Sequence, residues 1–195
     1  MRISLPRLMS RLTSPYVAPV FVGFLAAWRY AISLRSFFLW FSIQLVFTTL
    51  IPGIIGLALV RRGWITELHV PRQEDRTVFY LSVAPCPIAA FLLLYLLNAP
   101  VPLLLLAIGY MATLLAFTLI NLKTKISSHA GAVSGSVAAF FFMFKSAALP
   151  TLIFVPLVIW SRLALRQHSL GQVLLGTLLA AAIMVSVFSA YHLSR

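Results

Sequence analysis

The run VPLLLLAIGYMATLLAFTLINL, residues 101–122, contains no charged side chain. A helix that crosses the hydrocarbon core of a bilayer needs about 20 predominantly apolar residues, so this run predicts one crossing. Further apolar runs predict five more core helices, at residues 37–60, 78–97, 130–144, 151–163 and 170–192. We therefore predict an all-α fold, a polytopic membrane helix bundle with six core transmembrane helices.

The overall composition supports a membrane protein and narrows its function. The chain is 62% hydrophobic and 9% charged, whereas soluble domains are about 45–50% apolar and 25% charged. Its acidic residues, Glu67, Glu74 and Asp75, all fall in one loop. Ion-coupled transporters usually place carboxylates inside their spans, so this pattern disfavours a transporter. The net charge is +12, and its cations lie at the ends of the predicted helices. This placement favours membrane and phosphate partners and disfavours nucleic acid.

The N-terminal region differs from the rest of the chain. Residues 16–34 are apolar but include Pro19 and Arg29, so they reach the length of a membrane span only if the charged Arg29 is part of that span. We predict that residues 1–35 form a basic leader and a helix lying in the membrane interface, with a seventh span as the alternative. Residues 36–195 then form the six-helix membrane domain.

Polar loops separate the apolar runs at residues 61–77, 123–129 and 162–169. Counting antiparallel crossings places all three loops at the same end of the bundle. Each loop carries at least one cation, and the second and third also carry His129 and His168. Arginine forks match the oxygen spacing of a phosphate group. The sequence therefore predicts a phosphoryl-binding site at this end.

The two histidines suggest a division of chemical work. His168 and Gln172 lie four residues apart, so on a helix the Gln172 amide oxygen can reach the imidazole. That bond would leave the other ring nitrogen as a nucleophile. His129 follows Ser127 and Ser128 at a predicted helix start, where backbone N–H groups favour an anion. It is placed to protonate a leaving oxygen.

These loops resemble the motifs of the type 2 phosphatidic acid phosphatases, which share a fold with the vanadium haloperoxidases. The family motifs are K-x6-R-P, P-S-G-H and S-R-x5-H-x3-D. This chain has, in the same order, His69-x6-Arg76-Thr77, Ile126-Ser127-Ser128-His129 and Ser161-Arg162-x5-His168-x3-Gln172. The resemblance covers about residues 61–176, and the third motif is its most specific part. Within the family, the chain resembles the small prokaryotic membrane members.

The resemblance implies a phosphohydrolase of lipid phosphates or diphosphates that uses no metal and no cofactor, with a polyprenyl diphosphate ranked above phosphatidate. In such enzymes the third-motif histidine forms a phosphohistidine, which is the role of His168 here, and the second-motif histidine is the general acid, matching His129. The implied phosphate-binding residues are Arg76, Arg162 and Ser127. Lys125 is close enough in sequence to His129 to replace the cation that is lost where His69 stands for lysine, and His69 and Ser128 are further candidates.

The chain departs from the family motifs at three positions. Gln172 replaces aspartate, so it can accept the same hydrogen bond from histidine but brings no negative charge to stabilise an imidazolium. His69 replaces lysine and Thr77 replaces proline. The alternative is therefore a non-catalytic protein of the same fold that binds or translocates a lipid phosphate.

We expect a multi-pass protein of the cell membrane. Lys and Arg are divided almost evenly between the two predicted faces, so the rule that cations remain in the cytoplasm hardly separates them. If the cations that would bind an anion are left out of this count, the face with the polar loops has fewer Lys and Arg residues. The rule then places the active site outside the cytoplasm. The identity of the lipid and the oligomeric state stay open.

Overall fold

The computed structural model describes residues 4–67, 70 and 72–193, and for His192 only the backbone. All regular secondary structure in this part of the chain is helical, which confirms the all-α prediction. The α-helices are α1 (Leu5–Leu12), α2 (Val17–Tyr30), α3 (Leu34–Leu45), α4 (Ile51–Arg61), α5 (Gln73–Val83), α6 (Pro85–Leu96), α7 (Val101–Asn121), α8 (Ser128–Phe144), α9 (Phe154–Ala164) and α10 (Leu170–Leu193).

The membrane character is confirmed by the length and composition of these helices. Among the described residues, five segments are long and apolar enough to cross a membrane: Leu34–Arg61, Gln73–Leu96, Val101–Asn121, Ser128–Ala164 and Leu170–Tyr191. A sixth is added if α1 and α2, which are bent by 44°, form one crossing. The helices thus have the length and composition of an all-α membrane bundle.

The predicted runs at residues 130–144 and 151–163 are the helices α8 and α9. A 3-10 helix, Lys145–Ile153, joins them, and Lys145 opens it with a left-handed φ of 53°. Val158 of α9 packs in one buried cluster with Val133 of α8, so α9 returns along α8. With 11 residues, α9 is only about 16 Å long and needs the 3-10 segment to approach the thickness of a bilayer core.

Proline changes the geometry of the first long segment. Pro52 has no N–H for the helical ladder, and its ring crowds the carbonyl four residues earlier. The chain adapts with a π-helical turn, Val46–Leu50, between α3 and α4, and the Thr48 hydroxyl donates to the Gln44 carbonyl oxygen at 2.6 Å. One continuous segment of 28 residues results.

Residue contacts divide the chain into two compact units. One contains the described residues of Met1–Val22 and Lys125–Arg195, and the other is Gly23–Thr124. We call them the terminal unit and the central unit. The boundary falls inside α2. The predicted division at residue 35, between a leader and a membrane domain, concerns position in the bilayer and stays a prediction.

The N-terminal segment is folded onto the terminal unit. Helix α1 packs against α9, and its residue Ser10 and the following C-cap residue Thr13 are buried. Helix α2 covers most of the run that we predict to lie in the interface. Both the interfacial position and the alternative of another span remain predictions.

Candidate functional site

Helices α8 and α10 of the terminal unit run parallel, so their N-termini lie at the same end. Near that end, the Ser134 hydroxyl donates to the Thr177 carbonyl oxygen at 2.8 Å. Further along both helices, the Phe142 and Phe188 rings stack with centroids 5.3 Å apart. The second predicted motif ends in the first turn of α8 and the third ends in the first turn of α10, so the parallel pairing places these two motif ends together.

A direct backbone contact joins these two motifs. The Ser127 N–H donates to the main-chain carbonyl oxygen of Gln172 at 3.3 Å. Gly176 permits this approach, since a Cβ there would lie 2.6 Å from the Ser127 carbonyl oxygen. The Ser127 side chain is fully buried and caps α8 by accepting the Ala130 N–H at 3.4 Å. Ser127 thus organises the helix start in addition to its predicted phosphate contact.

His168 lies immediately before α10 and is 8% exposed. Its Nδ1 is 3.3 Å from Oε1 of Gln172, as the four-residue spacing predicts. In the tautomer that carries a proton on Nδ1, the ring donates to Gln172 and keeps Nε2 as the unprotonated nitrogen. This is the form that a nucleophilic histidine requires.

Gln172 has a second structural role that we did not predict. Its Oε1 also accepts the Ser169 N–H at 3.2 Å, while the Ser169 hydroxyl accepts the Gln172 N–H at 3.4 Å. These reciprocal bonds form a capping box at the start of α10. The sequence signal was present, because Ser169 and Gln172 fit the S-x-x-Q pattern of that motif.

Arg162, near the end of α9, is 4% exposed. Its Nη1 donates to the Ser10 hydroxyl at 2.6 Å, and its Nη2 donates to Oε1 of Gln167. Beside it, the Ser161 hydroxyl donates to the Pro6 carbonyl oxygen at 2.8 Å. Helix α1 therefore covers the Ser-Arg pair of the third motif. No local sequence signal connects α1 with this pair, and sequence reasoning missed the contact.

The remaining predicted residues of the second motif lie at the start of α8. Ser128 is its first residue and His129 its second, and both side chains are half-buried. Lys125, also half-buried, precedes the fully buried Ile126. The bond between Ser127 and Gln172 places His129 two residues from the junction of the two motifs.

The first predicted motif belongs to the central unit. Arg76 lies in the first turns of α5 and is 7% exposed. Its Nε donates to the Val70 carbonyl oxygen at 2.8 Å. Val70 has a φ of 46°, which is unfavourable for a β-branched residue, so Arg76 stabilises a strained backbone conformation at Val70. His69 lies outside the described residues, and the joint binding of one phosphate by Arg76 and Arg162 stays a prediction.

Thr77, where the family motif has proline, connects two helices of the central unit. Its hydroxyl oxygen accepts from Nδ2 of Asn121 at 3.0 Å. The Asn121 amide also donates to the Gln73 carbonyl oxygen at 2.8 Å, and Gln73 Nε2 donates to the Asn121 carbonyl oxygen at 2.7 Å. The first motif is therefore partly helical and attached to the end of α7, rather than a loop throughout as predicted.

The donors of the terminal unit suit an anion better than a metal ion. Within residues 4–67, 70 and 72–193, no group of three His, Cys, Asp or Glu side chains is placed to hold a metal. The end of the parallel pair instead offers two helix N-termini, whose dipoles are positive at this end, next to segments carrying His129, His168 and Arg162. Such an arrangement stabilises negative charge.

Comparison of the chain with protein-family models, with curated proteins and with solved structures finds no match. The resemblance to the type 2 phosphatidic acid phosphatases therefore rests on the three motifs.

Proposed function

We propose that this protein is an integral membrane phosphohydrolase of lipid phosphates or diphosphates that acts through a phosphohistidine. The observation that carries the proposal is the junction at the N-termini of α8 and α10. There the Ser127 N–H meets the Gln172 carbonyl oxygen at 3.3 Å, and the Gln172 side chain lies 3.3 Å from Nδ1 of His168. This junction supports a shared role of the two histidine motifs.

In the proposed reaction, Nε2 of His168 attacks phosphorus and the bond from phosphorus to the leaving oxygen breaks. His129 gives its proton to that oxygen, which restores the lipid hydroxyl or, for a diphosphate, the lipid monophosphate. Water then attacks the phosphohistidine, loses a proton to His129 and releases inorganic phosphate. The imidazole of His168 returns to its starting form.

Arg162 neutralises charge on the phosphoryl oxygens during both steps. Two of its partners, Ser10 and Gln167, offer neutral oxygens. A phosphate forms stronger, charge-assisted bonds with a guanidinium than neutral oxygens do, so substrate binding competes well for this side chain. The resemblance adds Arg76 as a phosphate cation. Lys125 is a further cation because it is close in sequence to His129, and His69 and Ser128 are further contacts.

We propose a polyprenyl diphosphate ahead of phosphatidate as substrate, in the cell membrane, with the site facing away from the cytoplasm. The substrate ranking rests on the resemblance to small prokaryotic members of the family. An amphiphilic substrate also suits a site at the end of membrane helices, because its tail stays in the bilayer while its phosphate reaches the polar end.

A non-catalytic lipid-phosphate binding or translocating protein is the second candidate. Two observations favour it. Gln172 supplies no negative charge and shares Oε1 with the Ser169 N–H, and Arg162 is already bonded to Ser10. A protein of this kind would bind a phosphate analogue without releasing phosphate.

Phosphate release separates the two candidates. The purified protein in detergent is supplied with a polyprenyl diphosphate or phosphatidate, without added metal, and compared with His168→Ala. His192→Ala, at the far end of α10, is the matched control for loss of a histidine. Release that is lost in His168→Ala and kept in His192→Ala supports hydrolysis. Binding of a phosphate analogue without release by the folded wild type supports the binding protein.

A further inference from the structure

Helix α1 has three distinct faces. At about 100° per residue, Ser10 and Thr13 share one side, which is buried against the terminal unit. A second side carries Leu5, Leu8 and Leu12, which are 60%, 41% and 54% exposed. The third side carries two exposed arginines, Arg7 and Arg11. The helix therefore presents an apolar and a basic face side by side to its surroundings.

The position of α1 is fixed by its buried side. The Ser10 hydroxyl accepts from Arg162 at 2.6 Å and the Pro6 carbonyl oxygen accepts from Ser161 at 2.8 Å. These bonds hold α1 on α9, so the leucines and arginines keep their outward direction. The outward surface is thus a defined part of the fold.

The terminal unit lacks internal counter-ions for these arginines. Every Asp and Glu of the chain lies between residues 67 and 75, in the central unit. The described Lys and Arg residues of the terminal unit are Arg7, Arg11, Lys125, Lys145, Arg162 and Arg166. Anions that balance the exposed cations of this unit must come from outside it, which favours a negatively charged partner.

The apolar face indicates that this partner is a lipid rather than a soluble anion. Helix α2 adds further exposed apolar side chains, since Val17 and Phe21 are 46% and 55% exposed. Helix α2 is apolar and follows α1 after a bend of 44°. A helix with leucines on one face and arginines beside them suits the boundary between acyl chains and headgroups.

We propose that α1 is a binding surface for anionic lipid headgroups, with Arg7 and Arg11 on the lipid phosphates and Leu5, Leu8 and Leu12 in the acyl boundary. This inference does not depend on the proposed hydrolase activity. A cation near an anionic leaflet contributes about 1 kcal/mol, which corresponds to roughly fivefold enrichment of the lipid for each arginine.

Lipid selectivity beside α1 tests the proposal. The full chain, with Cys86→Ala and a fluorophore on Leu12→Cys, is reconstituted in phosphatidylcholine containing a bromine-labelled quencher lipid, either phosphatidylglycerol or phosphatidylcholine. We expect the anionic quencher to be several-fold more effective, and this preference to fall toward one in Arg7→Gln/Arg11→Gln. Arg7→Lys/Arg11→Lys should keep the preference, and high salt should reduce it.

A fluorophore on Val185→Cys, an exposed position in the second half of α10, reports the selectivity of lipid far from the helix start that follows α9, and it should show little preference. Equal quenching by both lipids at position 12, or an unchanged preference in the glutamine variant, would overturn the proposal. Quenching by neither lipid would also overturn it, because position 12 would then not face lipid.

Discussion

Gly176 of α10 and Ser127 at the start of α8 approach so closely that a Cβ at position 176 would lie 2.6 Å from the Ser127 carbonyl oxygen. Real Cβ atoms do not tolerate this distance to backbone. The contact fixes the spacing of the two helices that carry the second and third motifs. Glycine at this position is therefore required by packing between helices.

We predict that Gly176→Ala destabilises the protein by about 1–3 kcal/mol, because the methyl group forces the two helix starts apart. Gly171→Ala is the matched control, since a Cβ at position 171 of the same helix meets nothing within 4 Å. Thermal unfolding in detergent should show a lower Tm for the first variant only. Equal Tm values for the two variants would contradict the close contact.

The two roles of Gln172 can be separated by mutation. Ser169→Ala removes one half of the capping box and should cost about 1 kcal/mol of stability, while the bond between His168 and Gln172 remains. Gln172→Ala removes Oε1, which is the acceptor of the other half of the box and also the acceptor for His168. We expect kcat for phosphate release to fall at least about tenfold in Gln172→Ala, with little change in Ser169→Ala. An equal loss of activity in both variants would show that the cap, and not the histidine contact, matters.

Gln172→Asp tests the departure from the family motif. Aspartate would add the negative charge that stabilises an imidazolium, and a carboxylate in the first turn of α10 is favourable for the helix dipole. We therefore expect kcat to increase in Gln172→Asp. Unchanged or lower activity with a normal Tm would mean that the wild-type site already compensates for the missing charge.

Most of the helical fold could be predicted from the sequence, while the tertiary polar contacts could not. The run at residues 101–122 becomes α7 because length and hydrophobicity act locally. The spacing of His168 and Gln172 likewise predicts their contact, since residues four apart share one helix face. Arg162 and Ser10, in contrast, are 152 positions apart, and only the folded chain brings them together.

The hydrogen bond between Arg162 and Ser10 predicts how α1 is attached. Ser10→Ala leaves a buried guanidinium with one acceptor fewer and removes one of the hydrogen bonds that hold α1 on α9. We expect faster tryptic cleavage after Arg7 and Arg11 in Ser10→Ala than in wild type. Ser4→Ala, at an exposed serine whose side chain makes no cap bond, is the control. Equal cleavage rates in the two variants would mean that apolar packing alone holds α1.

Replacing a buried side-chain amide in the central unit is expected to keep or raise the stability of the protein. Gln44 is 1% exposed, and within the described part of the chain its side-chain nitrogen and oxygen have no hydrogen-bond partner. An unsatisfied buried polar group costs about 1–3 kcal/mol, so Gln44→Met should keep or raise Tm. A clear loss of stability would indicate that a water molecule or a lipid group satisfies the amide.

The nucleophilic role of His168 is the central claim, and trapping the phosphoenzyme tests it most directly. The protein is mixed with a lipid substrate that carries radioactive phosphate, and the reaction is quenched in alkali. Phosphohistidine survives in alkali and is hydrolysed in acid. We predict acid-labile label on the wild type and none on His168→Ala. Phosphate release by a wild type that never becomes labelled, or label that persists in His168→Ala, would contradict the account.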